Sequence, residues 1–180
     1  MAKLVNKLKT QKIKIGILGG TFDPAHKGHL EISIQAKKIF ELKNIIWAIT
    51  KQNPFKNETI SNLRNRTQFA KKIIGKNNYI KVKFYEDKIS SNKTIDLIKF
   101  LNKDKQFKIY FIMGADNLIN FHKWYKWKSI IKECNILVFD RQGYKAKSLK
   151  SITFNKISKK NLTFVNFKKV NISSSQLRKI

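Results

Sequence analysis

The feature that most constrains this chain is an alternation. Short, continuously apolar runs are separated by stretches in which apolar residues recur with helical spacing. Ile13 to Leu18 is the first run, and from Gly28 it gives way to a stripe of Ile32, Ala36, Ile39 and Phe40. Ile45 to Ile49 is the second, followed by Phe69, Ala70, Ile73 and Ile74 on a second helix. Lys81 to Tyr85 reads as a third strand, and Ile95, Ile98 and Leu101 as a third helix. Strands at Phe107 to Met113 and Asn135 to Phe139 flank a helical stretch near Trp127 to Ile131. Leu162, Phe164 and Asn166 form one side of a late strand, and Ser174 opens a last short helix. Strands that are apolar on both faces belong to parallel sheets covered on both sides. The expected class is therefore α/β, a parallel sheet flanked by helices on both faces.

With 180 residues, 42% of them hydrophobic, the chain suits one globular domain with a substantial core. No internal repeat or Pro/Gly-rich linker divides it; its prolines, Pro24 and Pro54, both fall in loop-like segments. Residues 13–180 are expected to form that single domain, after a flexible basic extension over 1–12. The extension lacks the apolar stretch of a signal peptide and the Arg and Ser of a transit peptide. No apolar run approaches the roughly 20 residues of a membrane helix. Cys134 stands alone, so no intrachain disulfide is expected, which fits a reducing, cytoplasmic setting.

The formal net charge of +28 would ordinarily point to nucleic acid or an anionic membrane. The kind of cation argues otherwise. Arg occurs only at Arg64, Arg66, Arg141 and Arg178, against 35 Lys, with Ile and Asn also abundant. These three share A/T-rich codons, whereas a surface built for nucleic acid favours the planar fork of Arg. No nucleic-acid or membrane partner is expected. An RNA-binding module remains the rival from a different class; it requires a contiguous Lys and aromatic face and leaves the histidines below unexplained.

In a parallel α/β sheet, ligands bind beyond the carboxyl ends of the strands, where strand order reverses. Two unusual segments follow strands directly: Gly19 to His29 and Gly114 to Trp127. In the first, Gly19-Gly20-Thr21-Phe22-Asp23-Pro24 reads as irregular structure, and the glycines allow close approach of a nucleotide. The helix start that follows attracts phosphate through its N–H groups. His26 and His29 can face one anion there, with Gly28 leaving room, and either imidazole can donate a hydrogen bond to a phosphate oxygen. The Gly pair alone equally makes a tight turn. A zinc site would need more ligands, and His122 and Cys134 lie distant in sequence.

The full string Gly-Gly-Thr-Phe-Asp-Pro-x-His-x-Gly-His resembles the signature of the bacterial nicotinate-nucleotide adenylyltransferases. They belong to the nucleotidyltransferase superfamily that carries His-x-Gly-His or Thr-x-Gly-His. The resemblance runs from Ile13 to Arg178 and implies a Rossmann-like nucleotidyltransferase fold. Phe111-Ile112-Met113-Gly114-Ala115-Asp116, then Trp124-Tyr125, is similar to the family's Gly-x-Asp segment and its aromatic pair. That implies Asp116 beside the nucleotide ribose and Trp124 and Tyr125 on the pyridine ring; on spacing alone the two aromatics would fit a helix packing stripe. Asn92-Lys93-Thr94-Ile95-Asp96 resembles the family's Ser-Tyr-Thr-x-Asp, whose Thr helps hold the nicotinate carboxylate. Lys93 replaces the Tyr, and a Lys can pair with a carboxylate; Thr94 also fits a helix cap before Ile95. Asn53-Pro54-Phe55-Lys56 stands where the family often has Pro-Pro-His-Lys, which implies that Lys56 reaches the phosphates. Asn171 to Arg178 resembles Ile-Ser-Ser-Thr-x-Ile-Arg; alone, Ser173 to Ser175 would be an ordinary N-cap.

The resemblance implies transfer of AMP from ATP to nicotinate mononucleotide, with Mg²⁺ carried by the ATP rather than held in a protein cage. His26 and His29 would be catalytic. ATP would meet Gly19, Gly20, Thr21, Phe22, Gly28, Lys56, Gly114, Asp116, Ser174, Ser175 and Arg178, and the acceptor Thr94, Trp124 and Tyr125. A homo-oligomer is left open. Phosphopantetheine adenylyltransferase is the alternative within the same chemistry; it typically has Thr where His26 stands and lacks the Trp124-Tyr125 arrangement.

Overall fold

The computed structural model describes residues 11–53, 58–157 and 160–166. Its first half runs β1 (Ile13–Gly20), α1 (Lys27–Phe40), β2 (Asn44–Ile49), α2 (Leu63–Ile74), β3 (Ile80–Phe84), α3 (Glu86–Ile89) and α4 (Thr94–Asn102). The second half runs β4 (Phe107–Gly114), α5 (Ala115–Asn120), a 3₁₀ turn (Phe121–Lys123), α6 (Trp127–Glu133), β5 (Asn135–Phe139), α7 (Lys145–Leu149), α8 (Ile152–Lys156) and β6 (Leu162–Val165). The six strands form one parallel sheet in the order β3-β2-β1-β4-β5-β6. The chain builds outward from β1 in one direction, then returns to β1's other side with β4. That reversal places the ligand crevice over the ends of β1 and β4.

β1, β2, β4 and β5 each feed two cores because successive side chains point to opposite faces. Ile15, Ile17, Ile109, Phe111, Ile136 and Val138 pack with Ile95 and Ile98 of α4, Leu118 of α5 and Ile130 of α6. Leu18, Ile45, Trp47, Ile112, Leu137 and Phe139 pack instead with Ala36 of α1 and Ala70 and Ile74 of α2. This is the two-sided burial expected from continuous apolar runs.

Several expectations are corrected. Gly19 and Gly20 end β1, paired with Ala48 and Ile49, rather than opening the loop. The third strand lies one residue earlier than Lys81 to Tyr85. Asn166 falls just past β6, while Leu162 and Val165 are the strand's buried residues. Ile39 and Phe69, assigned to buried stripes, are 50% and 43% exposed. On α1 the buried face is made of Gly28, Ser33 and Ala36, small residues that let the helix lie close to the sheet and leave Ile39 beyond its edge. On α2 the buried face runs through Arg66, Ala70 and Ile74, which turns Phe69 outward. The helix expected at Ser174 lies outside the described residues.

Two tests follow from the packing. A Cβ on Gly16 would sit 2.9 Å from Leu42 Cδ1, 3.0 Å from Ile112 Cδ1 and 3.2 Å from Ile45 Cγ1. Gly16→Val should therefore overpack this face and cost about 1–3 kcal/mol in urea unfolding, against no change if the contact were loose. Cys134 is 8% exposed and its thiol donates to the Ile130 carbonyl at 3.3 Å. Burial pushes that thiol up to about 12, so thiolate is scarce at neutral pH. Iodoacetamide should label it slowly in the native protein and quickly in urea; rapid native labelling would contradict this burial.

Candidate active site

The start of α1 is closed by two imidazoles. His26 is the N-cap, in extended conformation, and its Nδ1 accepts from the Gly28 N–H at 3.1 Å. His29 Nδ1 accepts from the His26 N–H at 3.2 Å, so the pair makes a reciprocal capping box from histidines. Their ring centroids are 3.8 Å apart with planes 35° from parallel. Because each Nδ1 receives a backbone N–H, each neutral ring carries its proton on Nε2. The arrangement gives two imidazole N–H donors at the positive end of a 14-residue helix, a setting that favours an anion.

A stack of rings fixes His29 from below. Phe22 packs on Trp47 with centroids 5.0 Å apart and planes 15° from parallel, and lies 4.8 Å from the His29 ring. Trp47 Nε1 donates to Ser33 Oγ at 2.8 Å, and that hydroxyl donates to the His29 carbonyl at 2.8 Å. Phe22, expected at the nucleotide, is 2% exposed, and its ring packs in the core beneath this turn.

Beside the histidine segment, the ends of β1 and β2 open into a cavity of about 380 Å³. Gly19, Gly20, Ala48 and Thr50 line it, together with Glu86, Lys93, Thr94, Lys123, Trp124 and Tyr125. Trp124 is wedged edge-on against Phe111 and Phe121, at 6.0 and 5.2 Å, whereas Tyr125 is 53% exposed. Thr94 is the first residue of α4 and not its cap; the N-cap is Lys93, with no side-chain cap bond. Ahead of it, Ser91 Oγ accepts from the Lys93 N–H at 3.1 Å and donates to Asp96 Oδ2 at 2.7 Å.

Gly114 and Asp116 do not line that cavity; they sit at the junction of β4 and α5. The Asp116 carboxylate pairs with Arg141 Nη1 at 2.5 Å. Its Oδ1 lies 2.5 Å from where a Gly114 Cβ would be, so a side chain at 114 would displace this carboxylate. Lys56, Ser174, Ser175 and Arg178 fall outside the described residues. Among the described residues, no three His, Cys, Asp or Glu side chains gather as a metal site.

The cytidylyltransferase-like family model matches residues 17–180. Over all 180 residues the chain is 79% identical to a protein described as a probable nicotinate-nucleotide adenylyltransferase in Pelagibacter ubique (strain HTCC1062), covering 100% of both. The chain belongs to the nicotinate-nucleotide adenylyltransferase family. A Ruegeria sp. (strain TM1040) protein of the same description is 33% identical over 130 residues, 72% of this chain and 68% of that protein. The Plasmodium falciparum nicotinic acid mononucleotide adenylyltransferase solved in complex with NaAD shares the fold. It superposes with a TM-score of 0.75 at 22% identity, covering 92% of this chain and 82% of the other.

Sequence reading missed the residue that fastens the loop between β1 and α1. Arg66 is 3% exposed, and its guanidinium is spread over four carbonyls. Nε donates to Ser61 at 2.9 Å, Nη1 to Thr21 at 2.6 Å and Thr50 at 2.8 Å, and Nη2 to Lys51 at 3.1 Å. Asp23, 2% exposed, accepts from the N–H groups of Ile60 at 2.7 Å and Ser61 at 3.3 Å. Together they bind the loop after β1 to the connection after β2. Burial draws the Arg66 guanidinium below its usual range, opposed by the charges of Asp23 and Glu86. Only the place of Arg66 in the apolar stripe with Ala70 and Ile74 could have singled it out among the cations. Arg66→Met should orphan these acceptors and cost about 3 kcal/mol or more in urea unfolding. Arg66→Lys should recover only part, because one ammonium cannot reproduce the planar fork.

Proposed function

We propose that this chain, as one domain from residue 13 onward and in the cytoplasm, joins ATP to nicotinate mononucleotide, forming nicotinate adenine dinucleotide and pyrophosphate in NAD biosynthesis. The observation that carries the proposal is the capped pair of Nε2–H donors of His26 and His29 beside a cavity walled by Trp124 and Tyr125. A 5′-phosphate oxygen of the mononucleotide attacks the α-phosphorus of ATP, and the bond from that phosphorus to the pyrophosphate oxygen breaks. The reaction needs no nucleophile from the protein, so the site's work is alignment and charge stabilisation.

His26 and His29 donate Nε2–H bonds to phosphate oxygens as charge grows on the transferring and leaving groups. Gly19, Gly20 and Gly28 allow the phosphates close to the backbone, and the Thr21 segment is held beneath them by Arg66. Lys56, Ser174, Ser175 and Arg178 are assigned to the phosphate tail on the family motif alone. Asp116, oriented by Arg141, accepts from the ribose hydroxyls. Trp124 and Tyr125 receive the pyridine ring, with Thr94 at its carboxylate. Mg²⁺ accompanies ATP; with no carboxylate cluster among the described residues, phosphate oxygens and water would hold it, and bound there it neutralises phosphate charge.

Pyrophosphate release with Mg-ATP tests this directly, with nicotinate mononucleotide, nicotinamide mononucleotide and phosphopantetheine offered in parallel. Strong preference for the nicotinate form is expected; release with phosphopantetheine alone would overturn the acceptor assignment. His29→Ala should lower turnover by about two to three orders of magnitude, the scale of losing one electrostatic donor. His29→Asn keeps an acceptor for the His26 N–H and so separates capping from chemistry. Undiminished turnover in a folded His29→Ala variant would remove His29 from the mechanism.

A further inference from the structure

The cavity beside the histidines is electrically lopsided. Two lysines are among its lining residues, Lys93 and Lys123, and neither pairs with a carboxylate among the described residues. Lys51, close by, is paired with Asp87 at 2.7 Å. The carboxylate that lines the cavity, Glu86, is already engaged: it accepts from the Thr50 hydroxyl and from the Lys51 N–H at 3.2 Å. Asp96, in the first turn of α4, is taken by the Ser91 hydroxyl. Lys93 is also the N-cap residue of this nine-residue helix, where no side chain caps the backbone.

We propose that Lys93 and Lys123 make this cavity discriminate between acceptors, favouring a ring that bears a carboxylate over one that bears a carboxamide. The assignment rests on the adenylyltransferase reading for what the cavity holds. The two ring types have nearly the same shape, so the aromatic wall of Trp124 and Tyr125 cannot separate them by packing. They differ by a full negative charge, and charge is what an unpaired ammonium reads. An amide offers no such attraction, and binding it would leave both lysines uncompensated. Both lysines are exposed without ligand, so the selectivity should weaken with salt.

The test is equilibrium titration of the full chain with nicotinate mononucleotide and with nicotinamide mononucleotide, alongside pyrophosphate release on Mg-ATP. Lys93→Met should reduce the ratio of the two affinities about fivefold, the scale of a partly exposed ion pair. Lys93→Met combined with Lys123→Met should reduce it further, Lys93→Arg should preserve it, and 0.5 M NaCl should compress it in the unaltered chain. Equal affinities in the unaltered chain, or variants that weaken both ligands equally, would overturn the proposal. A preference in binding that the variants abolish, with no pyrophosphate release from either mononucleotide, would support the lysines and overturn the adenylyltransferase reading instead.

Discussion

The site depends on how the first turn of α1 satisfies its own backbone. A helix start leaves N–H groups without intrahelical partners, and proteins commonly close it with Ser, Thr, Asp or Asn. Here two imidazoles do so, and the choice has a chemical consequence. A capping carboxylate would place negative charge where the proposed reaction puts phosphate, and a capping hydroxyl would add no donor directed elsewhere. A capping imidazole accepts at Nδ1 and so keeps its proton at Nε2. The same two bonds that end the helix therefore set the tautomer of both rings. Stability and the proposed donor role are linked at this turn, since protonating either Nδ1 would remove an acceptor from the backbone.

Holding the loop in front of that turn is costly, and the structure offsets the cost locally. Phe22 adopts a left-handed backbone conformation at φ 49°, unfavourable for a bulky residue by about 1–3 kcal/mol. Its ring is almost wholly buried between Trp47 and His29, and such burial contributes on the order of 1.5–3 kcal/mol. The two terms are of the same size, so the conformation is sustained by the aromatic stack rather than by the loop itself. Arg66 and Asp23 then fasten the loop's backbone to the connection after β2. A buried guanidinium serves because it supplies several donors in one plane to carbonyls arriving from different segments.

Much of the fold was legible because parallel strands buried on both faces leave continuous apolar runs, and those of β1, β2, β4 and β5 stand out plainly. The short α3, α5, α7 and α8, of four to six residues, escaped because they are too brief for a helical period to show. Ile39 and Phe69 were misplaced for a shared reason. The buried faces of their helices run through Gly28, Ser33 and Arg66, residues that a hydrophobic count passes over. In the site, the histidine string was legible as chemistry, but the reciprocal cap was not, since Ser or Asp is the ordinary signal. Phe22 shows what the motif left out: its ring belongs to the core and stacks on Trp47. The partnership of Asp116 with Arg141 spans 25 positions and rests on the adjacency of β4 and β5.

Net charge is the poorest guide to this molecule and local pairing the better one. Lysines lie over Tyr79, Phe84, Phe100 and Tyr110, rings carried by separate parts of the chain, so their charge is spread over the surface. At 0.15 M salt, exposed charges more than about 8 Å apart hardly feel one another, and most of the +28 cancels against counterions. A lysine gains meaning from what surrounds it: Lys14 and Lys51 are neutralised by Glu41 and Asp87, whereas Lys93 and Lys123 face a cavity whose carboxylate is already engaged. A ligand that fills such a cavity excludes water from between the charges and raises their mutual attraction. Compositional bias can thus supply lysines everywhere, while the fold decides which of them line the cavity.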